Sequence, residues 1–415
     1  MKRVLVVLPH YLPGYKAGGP VRTIANIVEA LGEEFHFSIL TADRDLGDRE
    51  PYPGVSPGTW HQVGAAEVCY LTPGEMGLRA FGRLLNELSF DLLCLNSFFS
   101  PWTVKTLWLR KWGWIPRKPV LLAPRGELSA GALSLKPVKK TCYLFLAKAA
   151  GLYQGVTWQA TCDEEAQEVR GFFGKDLRPG SGYRGSCLRV VSDLAARPTP
   201  AALSEKRPEK RPGEARVVFL SRISRKKNLD WALGLLSRFP GAVSFDIYGP
   251  VEDGTYWQEC QRLMRDLPER VQARYNWSVA PENVSRVFSQ HHLFLFPTRG
   301  ENFGHVVPEA LSSGCLVMTS DQTPWRGLRA QKVGWDVPLD RPELWEGAWK
   351  EFLEMDQTRY QEWSQSAREF SKRFAENPST VASMRELFLE ILEGRPGPSG
   401  TEPAMAPQPF TSTSR

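Results

Sequence analysis

The sequence predicts an α/β protein built as two successive parallel-sheet domains, and three observations carry that prediction. Short apolar runs of strand length alternate with helix-length amphipathic segments along most of the chain, the pattern of strands joined by helical crossovers. At 415 residues the chain is too long for one compact domain and suits two of roughly 200 residues each. The stretch 195–214 is rich in proline and charge with little to bury, and the alternation restarts after it.

In the first half, strands are expected near 3–8, 36–41, 68–71, 91–95 and 119–123, with helices near 20–31, 78–88, 101–111, 133–149 and 163–172. After the break, Arg216-Val-Val-Phe-Leu220 reopens the pattern, which continues through strands near 243–248, 271–275, 293–296 and 315–319. The expected domains are 1–195 and 215–393, joined by a linker at 196–214; the last helices are allowed to pack back on the first domain. Beyond Glu393 the chain holds Pro, Gly, Ser and Thr with almost no apolar periodicity, so 394–415 reads as a disordered tail.

Composition excludes several classes. Hydrophobic content of 42% and charged content of 24% are those of ordinary globular proteins. A net charge of +6 suits anionic ligands or an anionic membrane surface and is no footprint of nucleic-acid binding. Seven cysteines, at 69, 94, 142, 162, 187, 260 and 315, form no CxxC pair, which argues for reduced thiols in a cytoplasmic protein rather than disulfides or a zinc site. The opening Met1-Lys-Arg-Val-Leu-Val-Val-Leu-Pro9 has too short an apolar run for a signal peptide and reads as a first buried strand. No run approaches the roughly 20 apolar residues of a membrane helix.

The densest chemistry lies in Arg299-Gly-Glu301-Asn302-Phe303-Gly304-His305-Val-Val-Pro308-Glu309-Ala-Leu-Ser-Ser-Gly314. Leu293-Phe-Leu-Phe-Pro297 before it reads as a buried strand ending at a proline. Pro308 fits only in the first turn of the following helix, which must begin near Phe303 to His305. Glu301 then sits in the loop and Glu309 about one turn into the helix, at the C-terminal end of a parallel strand where open α/β folds bind ligands. Two carboxylates beside unbonded helix amides suit a ligand with several hydroxyls and some negative charge, such as a nucleotide sugar. A glutamate in a first helical turn also serves the helix dipole, and a loop glutamate can simply be solvated.

Three further loops share that position. Ser221-Arg222-Ile-Ser-Arg225-Lys226-Lys227-Asn228-Leu229 follows the first strand of the second domain and leads into a helix from Leu229 to Phe239, so its cations can grip a diphosphate. Pro9-His10-Tyr-Leu-Pro13-Gly14-Tyr-Lys-Ala-Gly18-Gly19-Pro20 links the first strand to a helix; Gly18 and Gly19 let the backbone approach a ligand, and Pro20 suits a first helical position. Pro124-Arg125-Gly126-Glu127 ends a strand in a polar turn, and Asn96 follows another strand.

The string Glu301, seven residues, Glu309, with Asn-Phe-Gly after the first glutamate and Ala-Leu-x-x-Gly after the second, resembles the donor-site signature of glycosyltransferase family 4. Thr319-Ser-Asp321-Gln-Thr323-Pro324-Trp325 looks like members that build bacterial polysaccharides. Arg222 and Lys227, five apart after a strand, resemble the family's diphosphate-binding pair, with Asn228 where a glycine is usual; Arg225 and Lys226 read as surface charges. The resemblance covers the chain to about residue 393 and is densest from 216 to 340. It implies the GT-B fold, two Rossmann-like domains facing each other across a cleft, and a retaining hexosyltransferase using a nucleotide-diphosphate sugar.

The resemblance also distributes roles. Glu301, Arg222 and Lys227 are the expected catalytic residues, with Glu301 on sugar hydroxyls and the two cations neutralising the leaving diphosphate. Glu309 takes the ribose, and Asn302, Phe303, Gly304, Gly18 and Gly19 border the donor. Arg125, Glu127 and Asn96 are candidates on the acceptor side; Arg125 cannot serve as a general base. No DxD motif or metal-spaced cluster stands out, so neither metal nor other cofactor is expected. The acceptor is expected to be a glycan or a lipid-linked molecule of polysaccharide or envelope biosynthesis. Trp102, Trp108, Trp112 and Trp114 lie among Arg110, Lys111, Arg117 and Lys118, and 136–148 mixes lysines with large apolar residues. That composition suits peripheral contact with an anionic membrane, at the inner face of the cell membrane, and equally a helix packed on its sheet. A nucleotide-sugar epimerase of the same architecture and a non-catalytic binding subunit are the alternatives. Relatives often carry a Pro-Asn turn where this chain reads Arg189-Val-Val-Ser-Asp193, a departure that touches the interdomain crossing.

Overall fold

The computed structural model describes residues 1–133, 137–174, 187–196 and 207–394. The chain forms two compact units: the first holds Met1–Leu194 together with a helix returning from Pro378, and the second spans Ala195–Asn377.

In the first unit, β1 (Lys2–Val7) pairs in parallel with β2 (Phe35–Ala42) on one side and β5 (Leu92–Asn96) on the other. The sheet grows outward through β4 (Ala66–Leu71) and the antiparallel edge β3 (Trp60–Val63), and oppositely through β6 (Val120–Ala123), β7 (Val156–Ala160) and β8 (Cys187–Val190). The order β3-β4-β2-β1-β5-β6-β7-β8 therefore reverses direction between β1 and β5. One face is covered by α2 (Leu78–Glu87), α3 (Pro101–Lys111), α5 (Pro137–Ala149) and α6 (Asp163–Phe173), which share a core with Trp158 and Tyr153. The other is covered by α1 (Gly19–Leu31) and α13 (Pro378–Glu393). Met384, Leu387 and Phe388 of α13 are buried there; Phe388 meets Phe35 edge-on at 5.4 Å, and Arg385 pairs with Glu34 at 2.6 Å.

In the second unit, β9 (Glu214–Leu220) is flanked by β10 (Ala242–Tyr248) and then β11 (Val271–Tyr275), and on its other side by β12 (Leu293–Phe296), β13 (Leu316–Ser320) and β14 (Gly334–Val337). All these pairings are parallel. The strand order turns back between β9 and β12. Around this sheet lie α7 (Leu229–Arg238), α8 (Gly254–Arg265), α9 (Pro281–Ser289), α10 (Val306–Ser312), α11 (Pro342–Leu353) and α12 (Gln357–Ala375).

Strands β3, β7, β8 and β14 were not expected. Their sequences, such as Val-Thr-Trp-Gln-Ala and Gly-Trp-Asp-Val, lack a continuous apolar run, because polar side chains there find partners in the fold. Gln159 of β7, for example, donates from Nε2 to the Val191 carbonyl at 3.1 Å. The single helix expected at 133–149 is two, α4 (Ala130–Leu133) and α5, since Pro137 cannot sit inside a helix and begins one instead.

Of the expected linker, 197–206 lies outside the described residues, as do Lys136 and the tail 395–415. From 207 the charge-rich run is packed. Lys210 is buried, donates from Nζ to the carbonyls of Arg211, Leu353 and Met355 at 2.9–3.1 Å, and has its pKa lowered by burial to about 8. Among the described residues no helix is long and apolar enough to cross a membrane.

Candidate active site

The second unit brings its two predicted loops to the turning point of its strand order. The loop after β9 and the loop after β12 are tied main chain to main chain: the Lys226 carbonyl accepts the Arg299 amide at 2.8 Å and the Thr298 hydroxyl at 3.1 Å. Asn228 completes the join. Its Nδ2 donates to the Pro297 carbonyl at 2.9 Å, and its Oδ1 accepts from Arg299 Nε at 2.9 Å. Asn228 adopts φ 64°, ψ 39°, the left-handed conformation that asparagine tolerates.

That frame sets Lys227 against Glu301. Lys227 Nζ is ion-paired with Glu301 Oε1, and the two side chains are only 10% and 13% exposed. The ammonium also lies 5.4 Å from the Phe296 ring centroid. Burial, and then the charges of Arg222 and Lys226, hold the Lys227 pKa well below its ordinary range. An anion arriving there would meet a cation crowded by other cations. Arg222 is half-exposed and bonded to Glu252 at 3.0 Å. Arg225 pairs with Glu259 at 2.7 Å on the surface. The first turn of the ten-residue α7 begins beside Lys227 without a side-chain cap from Asn228, and its Asp230 carboxylate accepts the Tyr256 hydroxyl at 2.5 Å.

The Glu301–Glu309 loop is braced from below. The Glu301 amide donates to the Gln322 carbonyl at 2.8 Å, and Trp325 Nε1 donates to the Phe303 carbonyl at 2.7 Å. Phe303 is buried among Trp325, His305 and Phe374, so it presents main chain rather than side chain to any ligand. Gly304 takes φ 76° and leads into α10, which carries Glu309 in its first turn. Gln322 and Trp325 act as supports, as do Asn228 and Arg299. Spacing alone did not mark these contacts because each joins residues about 20 or 70 positions apart.

The first unit arranges its candidates differently. Gly18, at φ 73° and ψ −124°, caps α1, and the loop before it is held by Asp45, whose Oδ2 accepts the amides of Tyr15 and Lys16 at 2.8 and 3.0 Å. Gly19 is the first residue of α1. Arg125, expected on the acceptor side, is turned into its own domain. Its Nη1 lies 2.6 Å from Asp193 Oδ1, while Nε and Nη2 both donate to Asn96 Oδ1, at 3.1 and 2.8 Å. Arg125 and Asp193 are 6% and 3% exposed, and Thr23 donates to the other Asp193 oxygen at 2.9 Å. Asn96 is thus engaged with Arg125, and Glu127 accepts the Phe99 amide at 2.6 Å.

Beneath them Glu165, not singled out in the sequence, accepts the Gly126 and Thr161 amides at 2.7 and 2.8 Å; burial raises its pKa against the pull of those bonds. The run Asp163-Glu-Glu at the start of α6 was its only sequence signal. Among the described residues no group of His, Cys, Asp and Glu is arranged to hold a metal ion.

Residues 202–370 match the family model described as glycosyl transferases group 1. A sulfoquinovosyl transferase of Arabidopsis thaliana is 27% identical over 110 residues, 26% of this chain and 20% of that protein's length. The sucrose-phosphate synthase of Thermosynechococcus elongatus superposes with a TM-score of 0.70 at 17% identity, covering 95% of this chain and 100% of that one. Anabaena HepE, solved with UDP and glucose, superposes with a TM-score of 0.64 at 14% identity, covering 94% and 100%. These likenesses in structure show the fold, which is that of GT-B glycosyltransferases.

Proposed function

On a chain with the GT-B fold and a group 1 glycosyltransferase domain, we propose a retaining, metal-independent transfer of a hexose from a nucleotide-diphosphate sugar to a glycan or lipid-linked acceptor. The observation that carries this reading is the Lys227–Glu301 pair, shielded from water at the turning point of the β9–β12 strand order. Open α/β sheets bind their ligands at that point.

In the reaction the bond from the anomeric carbon to the donor's phosphate oxygen breaks, and a bond from that carbon to the acceptor oxygen forms on the same face. The acceptor proton passes to the departing phosphate. Negative charge grows on the diphosphate as it leaves, and a pre-placed cation in a dry setting stabilises that charge more than water would. Lys227 and Arg222 serve there. Glu301 accepts hydrogen bonds from sugar hydroxyls, and Glu309 from the ribose. Gly18 and Gly19 leave room for the phosphates in the first domain's loop.

The test is nucleotide release from a panel of UDP-, GDP-, ADP- and CMP-sugars, with EDTA and a lipid-linked acceptor extract, comparing the native chain with Glu309→Ala. Release from one donor, insensitive to EDTA and lost in the variant, is the expected result. Epimerised donor formed without acceptor would favour the epimerase. No release, with no donor shifting the melting temperature, would sink the reading.

A further inference from the structure

The charge of this chain is unevenly placed. Between residues 92 and 162 stand ten lysines and arginines against one carboxylate, Glu127, a net of +9; the remainder of a +6 chain therefore carries −3. Glu127 accepts the Phe99 amide inside the fold and Arg125 is buried against Asp193, so setting both aside leaves the region strongly positive.

Helix α5 lies in that region and is apolar on the side away from its core. Ala147 is its buried residue, with Tyr143 and Leu144 packed on the same core. At 100° per residue, Val138, Cys142, Phe145 and Ala149 share an outward arc of about 60°. Val138, Phe145 and Leu146 are 76%, 73% and 63% exposed. Lys139 and Lys148 stand one on each side of that arc, about 60° beyond its edges, and both are exposed. Helix α3 covers the same sheet face. Arg110 near its end donates to the carbonyls of Gln154 and Gly155, in the turn just after α5, at 3.0 and 3.4 Å. Trp112 and Trp114, both about half exposed, follow α3 directly.

We infer that this face of the first domain docks on an anionic lipid bilayer, α5 lying in the plane of the surface with Phe145 and Leu146 among the acyl chains and Lys139 and Lys148 at the headgroups. The inference deepens the lipid-linked acceptor named above and rests on that reading only for its purpose. An exposed apolar arc bounded by lysines and lacking carboxylates matches the layering of a bilayer interface, apolar inside and anionic at the rim. A second copy of the chain is a poor occupant, because an isologous contact would set one +9 region against another. At thirteen residues, about 20 Å, α5 is too short to span.

The experiment is sedimentation of the full chain with phosphatidylglycerol/phosphatidylcholine vesicles and with pure phosphatidylcholine vesicles. Binding to the anionic vesicles alone is expected. It should fall about twenty-five-fold in Lys139→Ala/Lys148→Ala, from roughly a fivefold loss per surface lysine, and weaken with salt. Phe145→Asp/Leu146→Asp should abolish it without moving the melting temperature, since both side chains are already exposed. No sedimentation, or binding unchanged in both variants, would overturn the inference. So would self-association abolished by the same substitutions, which would make the face a dimer contact. Donor-stimulated nucleotide release measured in the same preparations keeps the two proposals apart: release without vesicle binding would fail the docking surface and leave the transferase standing.

Discussion

Each unit places a cation close to the point where its strand order turns back, but the two are held in opposite ways. Arg125 of the first unit has its guanidinium filled on two sides, by Asp193 and by Asn96, with the partners 68 and 29 positions away. Lys227 of the second has one carboxylate, Glu301, an aromatic ring, and neighbouring cations that make its charge costly. The first arrangement is closed and fastens the 191–194 crossing segment onto β5, β6 and α1. The second is a cation whose charge an incoming diphosphate would stabilise. A buried ion pair near a strand end is thus no sign of a site by itself; whether the cation's bonding capacity is already satisfied separates a lock from a binding group.

Removing each cation should expose that difference. Arg125→Ala leaves Asp193 charged and buried, and the expected loss is about 3–5 kcal/mol of stability, read by urea unfolding. An Arg125→Met/Asp193→Leu double variant should recover much of it, because an apolar pair of similar volume needs no desolvation. If Arg125→Ala instead unfolds like the native chain but raises the acceptor KM alone, Arg125 belongs to the acceptor site and the contrast collapses.

Lys227→Ala should act on the reaction instead. Loss of one pre-placed charge at a leaving group typically lowers kcat by about 10²–10³. Stability should change less than in Arg125→Ala, since the Glu301 carboxylate left behind is more exposed than Asp193, 13% against 3%. Equal stability losses in the two variants, with kcat for Lys227→Ala within tenfold of native, would make Lys227 a second lock.

Legibility in the sequence follows the same division. The second unit's candidate site was readable as a juxtaposition because each half is a continuous string, Arg222 to Asn228 and Arg299 to Gly314, set after an apolar strand. What holds the halves in place was not, because the Asn228–Arg299 bond exists only once β9 and β12 are neighbours, and the Trp325–Phe303 bond only once β13 lies beside β12. In the first unit the candidates Asn96 and Arg125 were readable as strand-end polar residues. Their partner Asp193 lies in a segment with no strand signal of its own, so their inward orientation could not be read. The same holds for β7, whose Gln159 looks like a surface residue until Val191 lies beside it.

A smaller effect probes the second unit by pH. His292, buried at the start of β12, accepts the Arg216 amide through Nδ1 at 3.2 Å and so must donate from Nε2 to the Pro208 carbonyl at 3.0 Å. Burial lowers its pKa to about 3, against about 6.5 in the unfolded chain. The unfolded state therefore takes up a proton that the folded state refuses as pH falls below about 6.5, and stability is lost from there down to the folded pKa. The loss should be about 1.4 kcal/mol per pH unit in that window, read as melting temperature. It should be absent in His292→Asn. A native melting temperature flat from about pH 7 to about pH 5 would show that the ring protonates in place.

The smallest effects compare how the two units enter their helices. Gly18 and Asn228 both have positive φ just before α1 and α7, but ψ is −124° at the first and 39° at the second. Asparagine tolerates only the second of these conformations well. A Cβ built on Gly18 meets nothing within 4 Å, so glycine is required there by the backbone and not by crowding. Gly18→Ala and Gly18→Asn should therefore cost similar amounts of stability, about 1–3 kcal/mol, read by urea unfolding. Asn228→Gly keeps its backbone relaxed and loses the bonds to Pro297 and Arg299, at about 1 kcal/mol. Its signature would be a raised KM with kcat nearly kept, because Lys227 and Glu301 would then sit on loops fastened only through the Lys226 carbonyl. If Gly18→Asn proves neutral while Gly18→Ala does not, the loop relaxes into the left-handed conformation, and the two helix entries differ less than their ψ angles suggest.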